Sequence, residues 1–340
     1  MKSYNVGLLG LGNVNIAFVN HYVSIADKIA EDYGFRLQFV ALCDSQSIIY
    51  DNNLDISDIV TRKEQKRPGG EECTDPLGRF LDLITDKKID ILVDGLPTSK
   101  TYEGPTFPLL IEALKQNITV ICVNKAPLVF KGKELLRAAQ QNNSPIGLSG
   151  TTAGSLPTSG VMMNELAGTE IVHIRGIVNG TSNYVLDSIM FGGLTLDEAI
   201  HHAVELGIAE PDYHSDLDGT DTCFKMIILG LLATGENVHP NDVPRTGILK
   251  LKRGYIIAAV KQEKVIRLIG TLAIENNSPR ITVAPEILDE TDALYSVHGT
   301  GKGIIFKTKH MGELILIEGA SSRTSIAAAI LKDIINACKH

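Results

Sequence analysis

Cysteine pairing is missing from this 340-residue chain: Cys43, Cys73, Cys122, Cys223 and Cys338 are odd in number, scattered and never spaced C-x-x-C. That excludes a disulfide framework and a cysteine zinc site, and predicts free thiols in a reducing cytosol. Positive charge is also short. The formal net of −8 has no basic stripe to offset it, which excludes a nucleic-acid partner. No apolar run approaches bilayer length and no secretory leader precedes the first strand, so the expectation is a cytoplasmic protein without a membrane partner. His201, His202, His214, His239 and His298 lack metal-ligand spacing and read as surface or capping residues. With 44% hydrophobic and 21% charged residues, the chain can build ordinary cores, enough for two domains.

Against these absences stands residues 210–225, EPDYHSDLDGTDTCFK, running into MIILGLLATG. Glu210, Asp212, Asp216, Asp218 and Asp221 crowd a helix start, and Lys225 follows one turn inside. From 221 to 234 only Asp221 and Lys225 are charged, the pattern of a buried helix. Buried charges are rarely left unpaired, and a spacing of four sets these two on one helical face. A lysine held by a carboxylate in apolar surroundings suits proton transfer, which points to an enzyme. The alternative is an ordinary surface pair, disfavoured by the large apolar neighbours Phe224 and Met226. Calcium is excluded because Asp216-Leu217-Asp218-Gly219 is only a fragment of an EF-hand loop and no Glu closes it.

Residues 4–9 (YNVGLL) predict a buried strand, followed by Gly10-Leu11-Gly12-Asn13-Val14-Asn15 and an amphipathic helix from about Ile16. A glycine turn between strand and helix brings backbone N–H groups and a positive dipole end to a pyrophosphate. A second strand, 37–43, ends in Asp44, whose carboxylate can accept from an adenosine ribose. Asp44 follows Gly12 by 32 residues, against about 20 in the usual fingerprint, so the helix or its exit loop is extended. Strands at 89–93 and 119–123 end in Asp94-Gly95-Leu96-Pro97-Thr98 and Asn124-Lys125. Ligands gather at such carboxyl ends, making Thr98, Asn124 and Lys125 candidates on the cofactor side. An exposed loop lysine is the equal alternative for Lys125. The basic run Arg62, Lys63, Lys66 and Arg67 reads as a solvated surface; reaching the 2′-phosphate of NADP is the sharper alternative.

Small residues at 149–157 suggest a hinge. Beyond it, a strand at 170–178 feeds Asn179-Gly180-Thr181-Ser182-Asn183-Tyr184, either a ligand loop or a helix cap. Antiparallel strands are predicted at 265–274, 280–286, 303–308 and 313–318, with a closing helix from Arg323 to about Ala337.

GLLGLGNV, Asn124-Lys125, GIVNGTSNY, ELGIAEPDYHSDLDGTDTCFK and the closing Gly319-Ala320 before a helix together resemble homoserine dehydrogenase, in order and over nearly the whole length. The resemblance implies an α/β fold: a Rossmann-type doubly wound parallel sheet in residues 1–148, and a mixed or antiparallel α+β substrate and dimerisation domain in 149–308. Residues 309–340 would form a strand and helix packing back on the first domain. The implied activity interconverts L-aspartate 4-semialdehyde and L-homoserine with NADP or NAD, in threonine and methionine synthesis. Lys225 would move the proton, Asp221 would position it and the substrate, and Glu210 would receive the substrate ammonium. Thr181, Gly207 and Asp216 would complete the amino-acid site, with the separate roles of Asp212, Asp216 and Asp218 open and capping or loop ordering favoured for Asp218. Gly10, Leu11, Gly12, Asn13, Val14, Asp44, Leu96, Pro97, Thr98, Asn124 and Gly319 would bind the cofactor, with Lys125 close to the nicotinamide. A homodimer is implied.

Three departures stand out. Asn15 occupies the third glycine position. Ser149 stands where the family often has a cation-binding Glu, so Thr152, Gly154 and Leu156 offer carbonyls without that charge and no metal is expected. The chain also stops soon after the closing helix, so neither a regulatory domain nor a fused kinase is expected. The competing readings are another amino-acid dehydrogenase of the same plan and a non-catalytic dinucleotide sensor.

Overall fold

The structure, a computed structural model, describes residues 1–52, 54–57, 60–61, 71–320 and 322–339. The basic run from Arg62 to Arg67 lies outside the described residues. The chain divides into two compact units, Met1–Ser155 with Ser322–His340, and Leu156–Ser321.

Among the described residues, the first unit is built on a seven-stranded sheet ordered β4-β3-β2-β1-β5-β6-β7. Its strands are β1 (Lys2–Leu9), β2 (Phe35–Cys43), β3 (Ser47–Tyr50), β4 (Glu71–Glu72), β5 (Ile91–Asp94), β6 (Thr119–Cys122) and β7 (Ile146–Gly147). β1 pairs in parallel with both β2 and β5, and β5, β6 and β7 continue in parallel. β3 and β4 extend the β2 edge antiparallel. The runs ILVD and TVIC are apolar almost throughout because helices cover both faces of such strands. The helices are α1 (Asn13–Tyr33), α2 (Pro76–Thr85), α3 (Phe107–Lys115) and α4 (Ala126–Asn142). α1 absorbs the extra length before Asp44: it runs 21 residues, bends at Ile25 and stops at left-handed Gly34. Strand order reverses at β1, so the carboxyl ends of β1 and β5 flank the switch point where open α/β sheets bind ligands.

The second unit carries a five-stranded sheet ordered β10-β9-β8-β11-β12, antiparallel throughout. It comprises β8 (Ile171–Ile177), β9 (Val265–Glu275), β10 (Ser278–Leu288), β11 (Lys302–Thr308) and β12 (Glu313–Glu318). Asn276 and Asn277, with φ of 51° and 61°, make the two-residue turn that joins β9 to β10. Helices α5 (Gly180–Met190), α6 (Leu196–Glu205), α7 (Thr220–Thr234) and α8 (Arg253–Val260) belong to this unit, and α5, α7 and α8 pack on β9.

The last stretch departs from expectation. α9 (Arg323–Cys338) packs in the first unit, its Ala327, Ile330, Leu331 and Ile334 sharing a core with Phe18, Tyr22 and Phe39. β12 does not accompany it. Glu313–Glu318 pairs antiparallel with β11 in the second sheet, because a short turn returns the chain directly beside the strand it has just left and satisfies both backbones. None of the helices among the described residues is long and apolar enough to cross a membrane.

Candidate active site

α7 carries the chemistry of the second unit. The Asp218 carboxylate accepts from the Thr220 N–H at 2.8 Å, ordering the turn into α7, whose N-cap is Gly219 without a side-chain cap bond. One turn on, Lys225 Nζ lies 2.7 Å from Asp221 Oδ2, with side chains 13% and 15% exposed. The same ammonium donates to the Val178 carbonyl at 2.7 Å. Two of its three N–H directions are thereby taken by acceptors on different elements, which holds the head group in one place.

Asn179 ties this pair to its surroundings. Its amide donates to Asp221 Oδ2 at 2.8 Å and to Asp216 Oδ1 at 2.6 Å. Its side-chain oxygen caps α5 by accepting from the Ser182 N–H. Asp216 and Asp221 are therefore brought to one amide, whereas Asp212 and Glu210 are exposed. Thr181 donates to the Ile208 carbonyl at 3.3 Å, joining the start of α5 to the exposed loop of Gly207 and Glu210.

Sequence reasoning missed two residues here. Asn179 sat in plain view in GIVNGTSNY, where capping and ligand binding were equal readings. Lys302 went unnoticed. It opens β11, is 8% exposed, and places Nζ 3.2 Å from Glu318 Oε2 on β12. Burial pushes the Lys302 pKa down and the nearby Lys225 charge pushes the same way, against Glu318 and Asp221. A lysine between two glycines heading an apolar strand, GKGIIF, was the available signal.

In the first unit the predicted cofactor residues gather at the carboxyl ends of β1, β2, β5 and β6. Gly10 has φ of +86°, and a Cβ there would meet the Gly95 carbonyl at 3.0 Å, so the turn demands glycine. Gly12 starts α1 with no side-chain cap and open space above it. Uncapped N–H groups beneath open space fit a pyrophosphate. Leu11 is buried, Asn13 exposed and Val14 half-buried. Asn15 is buried and donates to the Leu9 and Gly10 carbonyls at 3.1 and 2.7 Å, bracing the turn from inside. A Cβ on Gly95 would lie 2.6 Å from the Asn15 amide, so the larger third-position residue is matched by a glycine opposite.

Asp44 Oδ1 accepts from Gln46 N–H, Ser47 N–H and Ser47 Oγ at 2.8–2.9 Å, shaping the turn after β2. Buried Asp94 accepts from Thr106 Oγ1 at 2.7 Å and Asn124 Nδ2 at 3.2 Å, and its other oxygen from the Leu96 N–H. Burial raises its pKa to about 6, against those three bonds. Thr98 Oγ1 accepts from the Lys125 N–H at 3.2 Å, while Pro97 is exposed. Ser149 is engaged by α9, its N–H and hydroxyl donating to Asp333 at 2.8 and 2.6 Å; it supplies no carboxylate to a cation. Gly319 follows β12 in the second unit and is exposed.

A dinucleotide cradle in one unit and an immobilised, carboxylate-bound lysine in the other define an oxidoreductase of the two-domain Rossmann class. The sequence model of homoserine dehydrogenase matches residues 157–335, more than half of the chain. The chain belongs to the homoserine dehydrogenase family. It is 29% identical over 333 residues to the homoserine dehydrogenase of Methanocaldococcus jannaschii, covering 97% of each. It is also 29% identical to the NAD(+)-dependent homoserine dehydrogenase of Pseudomonas canavaninivorans, over 99% of this chain and 96% of that protein. A hyperthermophilic archaeal homoserine dehydrogenase solved in complex with NADPH superposes with a TM-score of 0.79 at 26% identity, over 98% of this chain and 97% of the other.

Proposed function

We propose that this protein interconverts L-aspartate 4-semialdehyde and L-homoserine, serving threonine and methionine synthesis in the cytoplasm. The observation carrying this reading is the Lys225 ammonium held between Asp221 and the Val178 carbonyl, each at 2.7 Å. A bound nicotinamide supplies or takes up the hydride at the carbonyl carbon. In the reductive direction Lys225 gives its proton to the aldehyde oxygen, so that the alkoxide never accumulates. Asp221 keeps the lysine aimed. Glu210 meets the substrate ammonium, helped by Asp216, and Thr181 and Gly207 line the amino-acid pocket.

For the cofactor, we assign residues 10–14 to the pyrophosphate, Asp44 to the adenosine ribose and Lys125 to the nicotinamide end. Leu96, Pro97, Thr98, Asn124 and Gly319 complete that assignment. One relative is named for NAD(+) and one neighbour was solved with NADPH; NAD and NADP are both assigned here. The test is NADH and NADPH oxidation with aspartate semialdehyde by the wild type and Lys225→Ala. Turnover should fall by about 10²–10⁴, the usual worth of a positioned proton donor, with cofactor binding unchanged. Undiminished turnover would remove Lys225 from the mechanism. We further propose a homodimer, supported by β12, an outer strand of the second sheet whose Ile315 and Ile317 are exposed; light scattering giving only monomer at micromolar concentration would overturn it.

A further inference from the structure

A buried lysine bears a desolvation cost, and apolar residues commonly replace buried ion pairs without loss. The Lys302–Glu318 pair, with side chains 10% and 16% exposed, therefore calls for a reason, and the sheet register supplies one. Gly303 pairs with Ile177, which sets Lys302 abreast of Val178, the residue whose carbonyl receives Lys225 Nζ. Side-chain direction agrees. Gly270 faces α7, since a Cβ on it would strike Met226 and Thr222. Gly176 is paired with Gly270, and Ile304 with Gly176. Two residues along, Lys302 projects from that same face. Lys225 and Asp221 are accordingly among the charges that act on Lys302. The charged groups around the two lysines are Asp221 on α7, Glu318 on β12 and, through Asn179, Asp216.

We infer that Lys302, held in place by Glu318, is a positioning residue for proton transfer: its fixed positive charge beside Lys225 makes that ammonium a readier proton donor and favours the negative charge growing on the substrate oxygen. The inference rests on the proposed role of Lys225. No bond to substrate is asked of Lys302. Its charge acts through the lysine that does the transfer.

The experiment compares wild type, Lys302→Met, Lys302→Arg and Lys225→Ala in steady-state reduction of aspartate semialdehyde across pH. Lys302→Met should lower kcat about tenfold, a modest part of what a proton donor contributes, with KM for the aldehyde little changed. The pH at which turnover falls on the alkaline side should move upward, because the neighbouring cation no longer eases proton release. Lys302→Arg keeps the charge and should recover most of kcat and the wild-type pH limb. Should Lys302→Met fail to fold, Lys302→Gln takes its place with the same expected limb. If Lys225→Ala is inactive while Lys302→Met or Lys302→Gln keeps the wild-type kcat and pH limb, this inference is overturned and the reading of Lys225 stands. If Lys225→Ala is fully active, that reading falls first.

Discussion

Gly270 offers the most direct test of how the second unit places its lysine. It lies in β9 directly under α7, where a Cβ would sit 2.5 Å from Met226 Cγ, 2.9 Å from Met226 Sδ and 3.0 Å from Thr222 Cγ2. Ordinary carbon contacts need about 3.5–4.0 Å, so Gly270→Ala demands up to roughly 1 Å of separation. Met226 can yield part of it, being unbranched. Thr222 can yield less, because both branches of its side chain lie in a fully buried position. Both residues are fully buried, so the remaining strain must lift or turn α7. Asp221 and Lys225 ride on the same turns, and Lys225 is anchored to the Val178 carbonyl. Overpacking of this kind costs about 1–3 kcal/mol, to be read from urea denaturation. An ångström-scale shift of the lysine should cost on the order of 10²-fold in kcat/KM. Met226→Ala alone removes a buried side chain and should cost about 2–5 kcal/mol. In the Gly270→Ala background it should cost clearly less, a coupling that a double-mutant cycle reads directly. A Gly270→Ala protein as stable and as active as wild type would refute the packing argument, and additive effects in the cycle would remove Met226 from it.

Two further outcomes concern the first unit. Burial raises the Asp94 pKa to about 6 from the ordinary 3.8, so between those values the folded protein binds the proton more tightly than the unfolded chain. Stability is then greatest below pH ~4 on this account and falls by roughly 3 kcal/mol as pH rises to ~6, staying lost above it. Asp94→Asn should flatten that stretch of the stability–pH curve, and an unchanged slope in denaturation from pH 4 to 6 would assign it to other groups. Ser149→Ala takes a hydroxyl from the buried Asp333 carboxylate and should cost about 1–3 kcal/mol, measured by thermal unfolding at neutral pH. The loss should shrink in acid, because burial raises the Asp333 pKa while the Ser149 bonds hold it down.

Local patterns made much of this molecule readable. The glycine turn at 10–12 shows in sequence because at Gly10, with φ of +86°, no other residue suits the backbone, and the strands after it because burial on both faces leaves an unbroken apolar run. Asp221 and Lys225 paired as expected because a separation of four places two side chains on one helical face wherever the helix goes. Lys302 escaped notice because its meaning depends on Glu318 and Val178, neighbours only through strand pairing. β12 was misassigned for the same reason: its alternation indicates a strand without naming the partner.

The amino-acid sequence by itself determined the glycine turn after β1, the order of strands and helices, and the lysine–carboxylate pair. Each depends on residues within about one or two turns of each other, where covalent geometry sets the distances. Only the tertiary structure decided what surrounds that pair: Asn179 binding Asp216 to Asp221, the Val178 carbonyl under Lys225, the buried Lys302, and Gly270 beneath the helix. Likewise it set Asp333 against Ser149, which are 184 residues apart. Contacts at such separation follow from register and packing of whole elements against one another, and no short stretch of sequence encodes the partner.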